Sequence, residues 1–438
     1  MTIIDNQKTA HVCVECTACD DPDRRQDLDA AQIVMINDDP VGRGGATGLA
    51  VYSAKGLAAR GRRVFFLSAE TKENRDLTDC GIELWGAGGS HILDAPRHDA
   101  IIKGLHNGPV TQRLGAWIAR NDTARTVYHV HAWSKVFSPA LMRVLRPVFP
   151  RVVLHAHDFF LGCPNGAFWD YQAQEVCTRV PLSGACLATN CDRRSRSQKM
   201  WRVARTGLLW KHLDRKASVP EILLIHPGME EPLRRSGYAP ERLNVLRNPT
   251  VPFTDRPIAA QNNQKVAFVG RLDAEKGGLF LARACAKAGL QLMVMGEGPE
   301  YDAIAATGAE MHGWCDRARI GAVLREARVL AMPSQYPEPF GLVAVEALGC
   351  GLPVIAARSA LLAEEIASAG AGFAFDATDE AALINCLTGV LQDDAVIAQC
   401  SARALAIAGH IGLSPERWLD GLEAAYARAL SRADAGAT

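Results

Sequence analysis

No hydrophobic run in this chain approaches the roughly 18 uncharged residues that a membrane-crossing helix needs, so no transmembrane helix is expected. Neither sign of charge is in excess. Lys+Arg and Asp+Glu both total 48, which leaves no global basic field and excludes a nucleic-acid partner. The first residues, MTIIDNQKTAHVC, lack the basic-then-apolar order of a signal peptide, so a cytoplasmic protein is expected. No internal repeat of solenoid period is visible. What is present is 438 residues, 48% of them hydrophobic and 22% charged, enough for two soluble domains of ordinary size.

Cysteine is plentiful, at 13 residues. Cys80, Cys285, Cys315, Cys350, Cys386 and Cys400 are scattered in apolar surroundings and read as core fillers. Cys13, Cys16 and Cys19 form C-x2-C-x2-C inside a polar extension over residues 1–30, three thiolates where tetrahedral zinc takes four ligands. Cys163, Cys177, Cys186 and Cys191 form a second group, with 13, 8 and 4 residues between them. Four thiolates could hold one structural Zn here, although the spacing is looser than paired C-x2-C. In a reducing compartment neither group should be a disulfide framework.

The most informative stretch is PSQYPEPFGLVAVEALGCGLPVIAA, residues 333–357. Glu338 and Glu346 stand seven residues apart, with a Pro339-Phe340-Gly341 turn and a short apolar helix between them. Gly349 or Gly351 should stop that helix, and Leu352–Ala356 should be a buried parallel strand. The first turn of a helix carries unpaired N–H groups and partial positive charge. A helix opening at Gly341 is therefore a seat for a phosphate. A carboxylate such as Glu346 suits a pair of sugar hydroxyls.

The remainder alternates strands and helices. A strand at 32–36 runs into a loop with Gly42, Gly44, Gly45 and Gly48, then a helix over 47–60 and a strand over 64–68. The loop lacks the G-x-G-x-x-G spacing of a dinucleotide site, yet it places glycine N–H groups at a helix start. TVYHVH at 126–131 is a strand ending in His129 and His131, which read as satisfied histidines or lining on the acceptor side. RVVLHA at 151–156 is the next strand, running into His157-Asp158. Residues 159–200 break the alternation with Gly, Pro, Asn and aromatics and read as a long excursion. Residues 193–216 are basic and amphipathic with Trp201 and Trp210. They fit either a helix packed on the domain or a peripheral contact with an anionic membrane. The polar stretch 251–264 is a linker, and KVAFVG at 265–270 opens a second unit whose loop carries Arg271 and Lys276, two cations suited to a diphosphate.

The E-x7-E pattern in EPFGLVAVEALGCGLPVI, with GRLDAEKG and HAHDFFLGCPNG, resembles the retaining glycosyltransferases of family GT4, the glycosyl transferases group 1, over about residues 31–430. The resemblance implies an α/β protein of the GT-B fold, two Rossmann-like domains with parallel sheets facing a cleft and a C-terminal helix crossing back. It divides the chain into an acceptor domain over 31–250, with the insert 159–200, a donor domain over 265–415, and a helix and tail over 416–438. It implies transfer of a sugar from a nucleotide diphosphate sugar to a saccharide or lipid-linked saccharide acceptor, in polysaccharide or glycoconjugate synthesis. Arg271 and Lys276 would hold the diphosphate, and Glu338 and His157 would face the donor sugar. Gly44, Gly45, Phe340, Gly341 and Leu342 would line the diphosphate and sugar. Glu346 would take the ribose, with Gly313, Trp314 and Cys315 beside the base. No D-x-D motif stands in the cleft segments, so no catalytic metal and no cofactor is expected. The alternatives are a GT-B nucleotide-sugar epimerase and a non-catalytic partner subunit.

Overall fold

The computed structural model describes residue 28 and residues 30–42, 45–92 and 94–436. Cys13, Cys16, Cys19 and Gly44 lie outside the described residues. Among the described residues, nine strands precede residue 250: β1 (Gln32–Asn37), β2 (Arg63–Glu70), β3 (Glu83–Gly89), β4 (Thr126–Val130), β5 (Val152–Ala156), β6 (Trp169–Asp170), β7 (Glu175–Val176), β8 (Glu221–Leu224) and β9 (Leu243–Val245). Seven of them form one sheet in the order β3-β2-β1-β4-β5-β8-β9, and every pairing in it is parallel. β6 and β7 pair apart from it, as an antiparallel hairpin in the insert. Six more strands follow: β10 (Lys265–Val269), β11 (Leu292–Met295), β12 (Glu310–Gly313), β13 (Ala327–Met332), β14 (Val354–Ala357) and β15 (Gly372–Phe375). They make a second parallel sheet, ordered β12-β11-β10-β13-β14-β15.

The central strands are near-continuous apolar runs because helices cover both faces. Ile33, Val34, Met35 and Ile36 of β1 are all buried, as are the four residues of β14. In each sheet the first strand sits between the second and a later one, β1 between β2 and β4, β10 between β11 and β13. Chain direction outward from the sheet reverses there, which opens a crevice at the carboxyl ends of those strands. The loops after β1, β4, β10 and β13 therefore converge on two crevices, and residues 38–42, 131–138, 270–277 and 333–341 lie on them.

The final helix, Pro415–Gly436, leaves the second unit and packs on the first sheet. Trp418, Leu422, Tyr426 and Leu430 are buried at four-residue spacing, one face of a helix, against Ile33, Met35, Ala54 and Leu57. The Trp418 indole N–H donates to Ser53 Oγ at 3.0 Å. Two crossing segments run side by side where the units join. Thr250 N donates to Leu413 O at 2.9 Å and Leu413 N to Asn248 O at 3.1 Å.

The basic stretch at 193–216 is a helix, Arg196–His212, and its tryptophans serve the fold. Trp201 donates to Ile101 O at 3.0 Å and Trp210 to Leu161 O at 2.9 Å, while Arg205 lies over Trp133 and Arg215 over Trp210. The membrane contact expected of this stretch loses its anchors, because both indoles are turned onto the domain. No single described helix is long and apolar enough to cross a membrane.

Candidate active site

On the C-terminal side two loops are held together by one glycine. Gly277 has φ +72°, and a Cβ there would sit 2.0 Å from Pro333 O. Only glycine permits that approach. Gln335 N donates to Glu275 O at 2.8 Å, closing the same seam. The consequence is an ion pair. Lys276 Nζ reaches Glu338 at 2.6 and 2.7 Å, and Ser334 Oγ donates to the same carboxylate at 2.9 Å. Tyr336 lies beside them, its oxygen 3.3 Å from Lys276 Nζ. Burial, reinforced by the Glu338 charge, keeps that phenol protonated. Sequence reading treated Lys276 as a ligand for diphosphate and Glu338 as one for sugar. In the structure each is the other's partner.

Arg271 is exposed and rests on Asp273 at 3.0 Å. Gly341 takes φ +72° and caps the helix Leu342–Leu348, which stops at Gly349; the chain turns left-handed at Gly351 with φ +74°. Phe340 is buried, so it supports the turn rather than lining open space, while Leu342 is partly exposed. Glu346, on that helix, accepts from Arg317 Nη1 at 2.6 Å. Burial raises its pKa, and the Arg317 guanidinium opposes the rise. Arg317 was not singled out in the sequence, because its pairing with Glu346 spans 29 positions. Gly313 has φ +67°, Cys315 is partly buried, and Trp314 is 56% exposed beside them.

On the N-terminal side, Gly45 opens the helix Gly45–Ala59 at φ +62° with no atom within 4 Å of a Cβ position. Asp38 follows β1 and is buried. It accepts from the backbone N–H groups of Lys135, Val136 and Phe137 at 2.7, 3.0 and 3.0 Å, fixing the loop after β4. Burial nonetheless leaves its pKa raised. This residue was missed; the polar run after a strand was its only signal. His157, at the end of β5, is partly buried and lies 3.0 Å from His131. Burial lowers its pKa to about 3, so the ring is neutral at neutral pH.

The insert faces the second unit. Trp169, Glu175 and Val176 of the β6–β7 hairpin line a cleft of about 280 Å³ opposite Gln335, Arg358, Ser359 and Thr378. Arg193 reaches across to Glu275 at 2.7 Å, beside Lys276. Cys163, Cys177, Cys186 and Cys191 are all buried within the insert and form no disulfide. Cys163 donates to Asn165 Oδ1 at 3.0 Å, Lys199 Nζ donates to Cys191 Sγ at 3.0 Å, and Arg179 approaches Cys177 at 3.6 Å. Among the described residues, the metal-ligating side chains that gather within 4.8 Å are His129, His131 and His155 instead. Asn165, Arg179 and Lys199 thus supply polar partners to three of the four thiols.

Residues 253–406 match the family model of the glycosyl transferases group 1. The second sheet lies within that match. Among curated relatives of this chain, a D-inositol 3-phosphate glycosyltransferase of Mycolicibacterium smegmatis is 32% identical over 48% of this chain and 48% of its own length. A glycogen synthase of Mycobacterium tuberculosis is 28% identical over 58% of this chain and 63% of its own. The chain thus spans about half to under two thirds of the length of these relatives. Among solved structures, HepE of Anabaena in complex with UDP covers 89% of this chain and 98% of its own at TM-score 0.62 and 18% identity. Sucrose-phosphate synthase of Thermosynechococcus elongatus covers 90% of this chain and 97% of its own at TM-score 0.66 and 18% identity. The chain has the GT-B fold, two Rossmann-like sheets in one chain.

Proposed function

We propose that this chain belongs to the glycosyl transferases group 1 and is a retaining, GT4-type hexosyltransferase. It moves a sugar from a nucleotide diphosphate sugar to the hydroxyl of a saccharide or lipid-linked saccharide, in the synthesis of a polysaccharide or glycoconjugate. The observation that carries the reading is the Lys276–Glu338 pair beside the left-handed Gly341 turn. A cation, a carboxylate and a helix opening meet there on loops at the carboxyl ends of β10 and β13. A diphosphate entering that corner competes with Glu338 for the ammonium, and Arg271 adds a second, exposed cation. Glu338, released, accepts from sugar hydroxyls, and Glu346 accepts from the ribose. His157 meets the sugar from the other side as a neutral imidazole.

In the transfer, the bond from the anomeric carbon to the phosphate oxygen breaks and a bond from that carbon to the acceptor oxygen forms on the same face. The acceptor's proton passes to the leaving phosphate oxygen. Cations around the diphosphate offset the charge that develops on it. The acceptor enters beneath the insert. A uridine diphosphate donor is the first to try, since HepE was solved with UDP.

The test is nucleotide release from UDP-, GDP-, ADP- and dTDP-linked sugars, paired with thermal shift for binding. One donor class should stabilise the chain. Lys276→Ala should abolish that shift, and Glu338→Gln should keep binding while losing turnover. Donor binding and release unchanged in both variants would sink the reading.

A further inference from the structure

Four histidines stand at alternate positions at the ends of two adjacent strands, His129 and His131 on β4, His155 and His157 on β5. Alternate residues of a strand share a face, and β4 and β5 pair with His129 opposite Val153 and Val130 opposite Leu154. The four rings therefore stack on one side of the sheet. The His155 and His157 rings lie 4.4 Å apart and within 8° of parallel, and those of His129 and His131 lie 4.1 Å apart. His129, His131 and His155 are at most 4% exposed.

Every hydrogen-bond partner of these rings is another imidazole or one phenol. His129 Nε2 lies 3.1 Å from His155 Nδ1, His131 Nδ1 lies 3.0 Å from His157 Nε2, and His129 Nδ1 lies 2.8 Å from Tyr426 on the C-terminal helix. A neutral imidazole has one N–H and one lone pair, so such a chain leaves its outer nitrogens over. They are His131 Nε2 and His155 Nε2, both buried without a partner. Buried polar atoms are rarely left so, and two in one cluster call for an occupant. One ring nitrogen from each of His129, His131 and His155 lies within 4.8 Å of the others.

We propose that His129, His131 and His155 ligate one divalent transition-metal ion of the zinc class, beneath the cleft and apart from the reacting atoms. Neutral imidazole donors with no carboxylate or thiolate among them suit zinc, nickel or copper over magnesium or calcium. Zinc takes imidazole nitrogens at about 2.0–2.1 Å, so the three rings close inward slightly on the ion. Tyr426 then orients His129 from the far side of its ring. The site also acts on His157, a consequence that rests on the donor-sugar role given to that residue above. With Nε2 of His131 on the ion, its Nδ1 carries hydrogen and donates to His157 Nε2. His157 is thereby held with its own hydrogen on Nδ1.

The full chain, stripped with chelator, is titrated with Co2+ and followed by visible absorption, with zinc content of the unstripped protein measured alongside. One equivalent of Co2+ should bring up ligand-field bands without intense thiolate-to-cobalt charge transfer. His131→Gln and His155→Gln should each lose those bands, and Cys163→Ser with Cys191→Ser should keep them. No uptake by the stripped wild-type chain, uptake through thiolates only, or uptake unchanged in both histidine variants would each overturn the proposal. Should either Gln variant fail to fold, the wild-type spectrum still decides, since nitrogen and sulfur ligation absorb differently. None of these readouts depends on sugar transfer.

Discussion

Glu338 holds Lys276 with both carboxylate oxygens, at 2.6 and 2.7 Å, although 62 positions separate the two residues. The pair is partly buried, so neither charge is fully solvated when its partner is removed. Lys276→Ala should therefore lower turnover by about 100-fold or more, the usual cost of one donor aimed at developing charge. Lys276→Arg should recover only part, because a planar guanidinium does not replace a point charge. Steady-state nucleotide release checks both.

Gly277→Ala tests how that pair is assembled. The substitution meets a positive φ and the Pro333 carbonyl together. Strain of this kind costs on the order of 1–3 kcal/mol. Urea unfolding should show that loss, and donor affinity should fall with it as the two loops part.

Arg317→Ala should act through Glu346. Burial already raises the Glu346 pKa and Arg317 opposes it, so removing the guanidinium raises it further. A group raised in this way protonates as pH falls. The donor KM of the variant should therefore climb toward acid pH more steeply than that of the parent, read from KM-against-pH profiles.

Glu365 ties the two units. It lies 2.9 Å from both His226 and Arg247. Burial pushes its pKa up, yet the bonds from His226 and Arg247 outweigh this and bring it down to about 2 from 4.5. A depressed carboxylate contributes stability that is present above its unfolded pKa and lost as pH falls through the folded one. Stability should thus decline between about pH 4.5 and about pH 2, and Glu365→Gln should flatten that part of the curve. Urea midpoints across this range measure it.

Trp418→Ala should cost about 3–5 kcal/mol, as for a fully buried aromatic. The loss falls on the first sheet rather than the unit from which the helix departs, since Trp418 packs there. Ser53→Ala removes the indole's acceptor together with Ser53's own bond to Leu49 O, leaves the packing in place, and should cost about 1–3 kcal/mol. Thermal unfolding of the two variants separates packing from hydrogen bonding.

The strands of both sheets were legible because buried parallel strands are short apolar runs between glycine-rich turns. β1, β10 and β14 stand within one or two residues of the runs QIVMI, KVAFVG and LPVIA. Gly341 was legible for a related reason: a left-handed turn between a strand and a helix selects glycine, and that selection is local. Between β4 and β5 the helix Ala140–Leu145 is short, because the chain tightens into a 3-10 turn at Arg146–Arg151 around Pro147 and Pro150.

The sequence by itself determined the alternation of strands and helices, the two switch-point loops, and the residue types carried on them. Those follow from periodicity and backbone preference over a few neighbouring residues. Only the tertiary structure decided which charges meet. Lys276 with Glu338, Arg317 with Glu346, Glu365 with His226 and Arg247, and Tyr426 with His129 join positions 29 to 297 apart. A side chain's partner at such range depends on how whole elements pack, and nothing in its local sequence records that. The same holds for the cysteines and histidines. Spacing singled out the four cysteines of the insert, but the gathering of three imidazoles came from packing, because adjacent parallel strands align alternate residues that lie far apart along the chain.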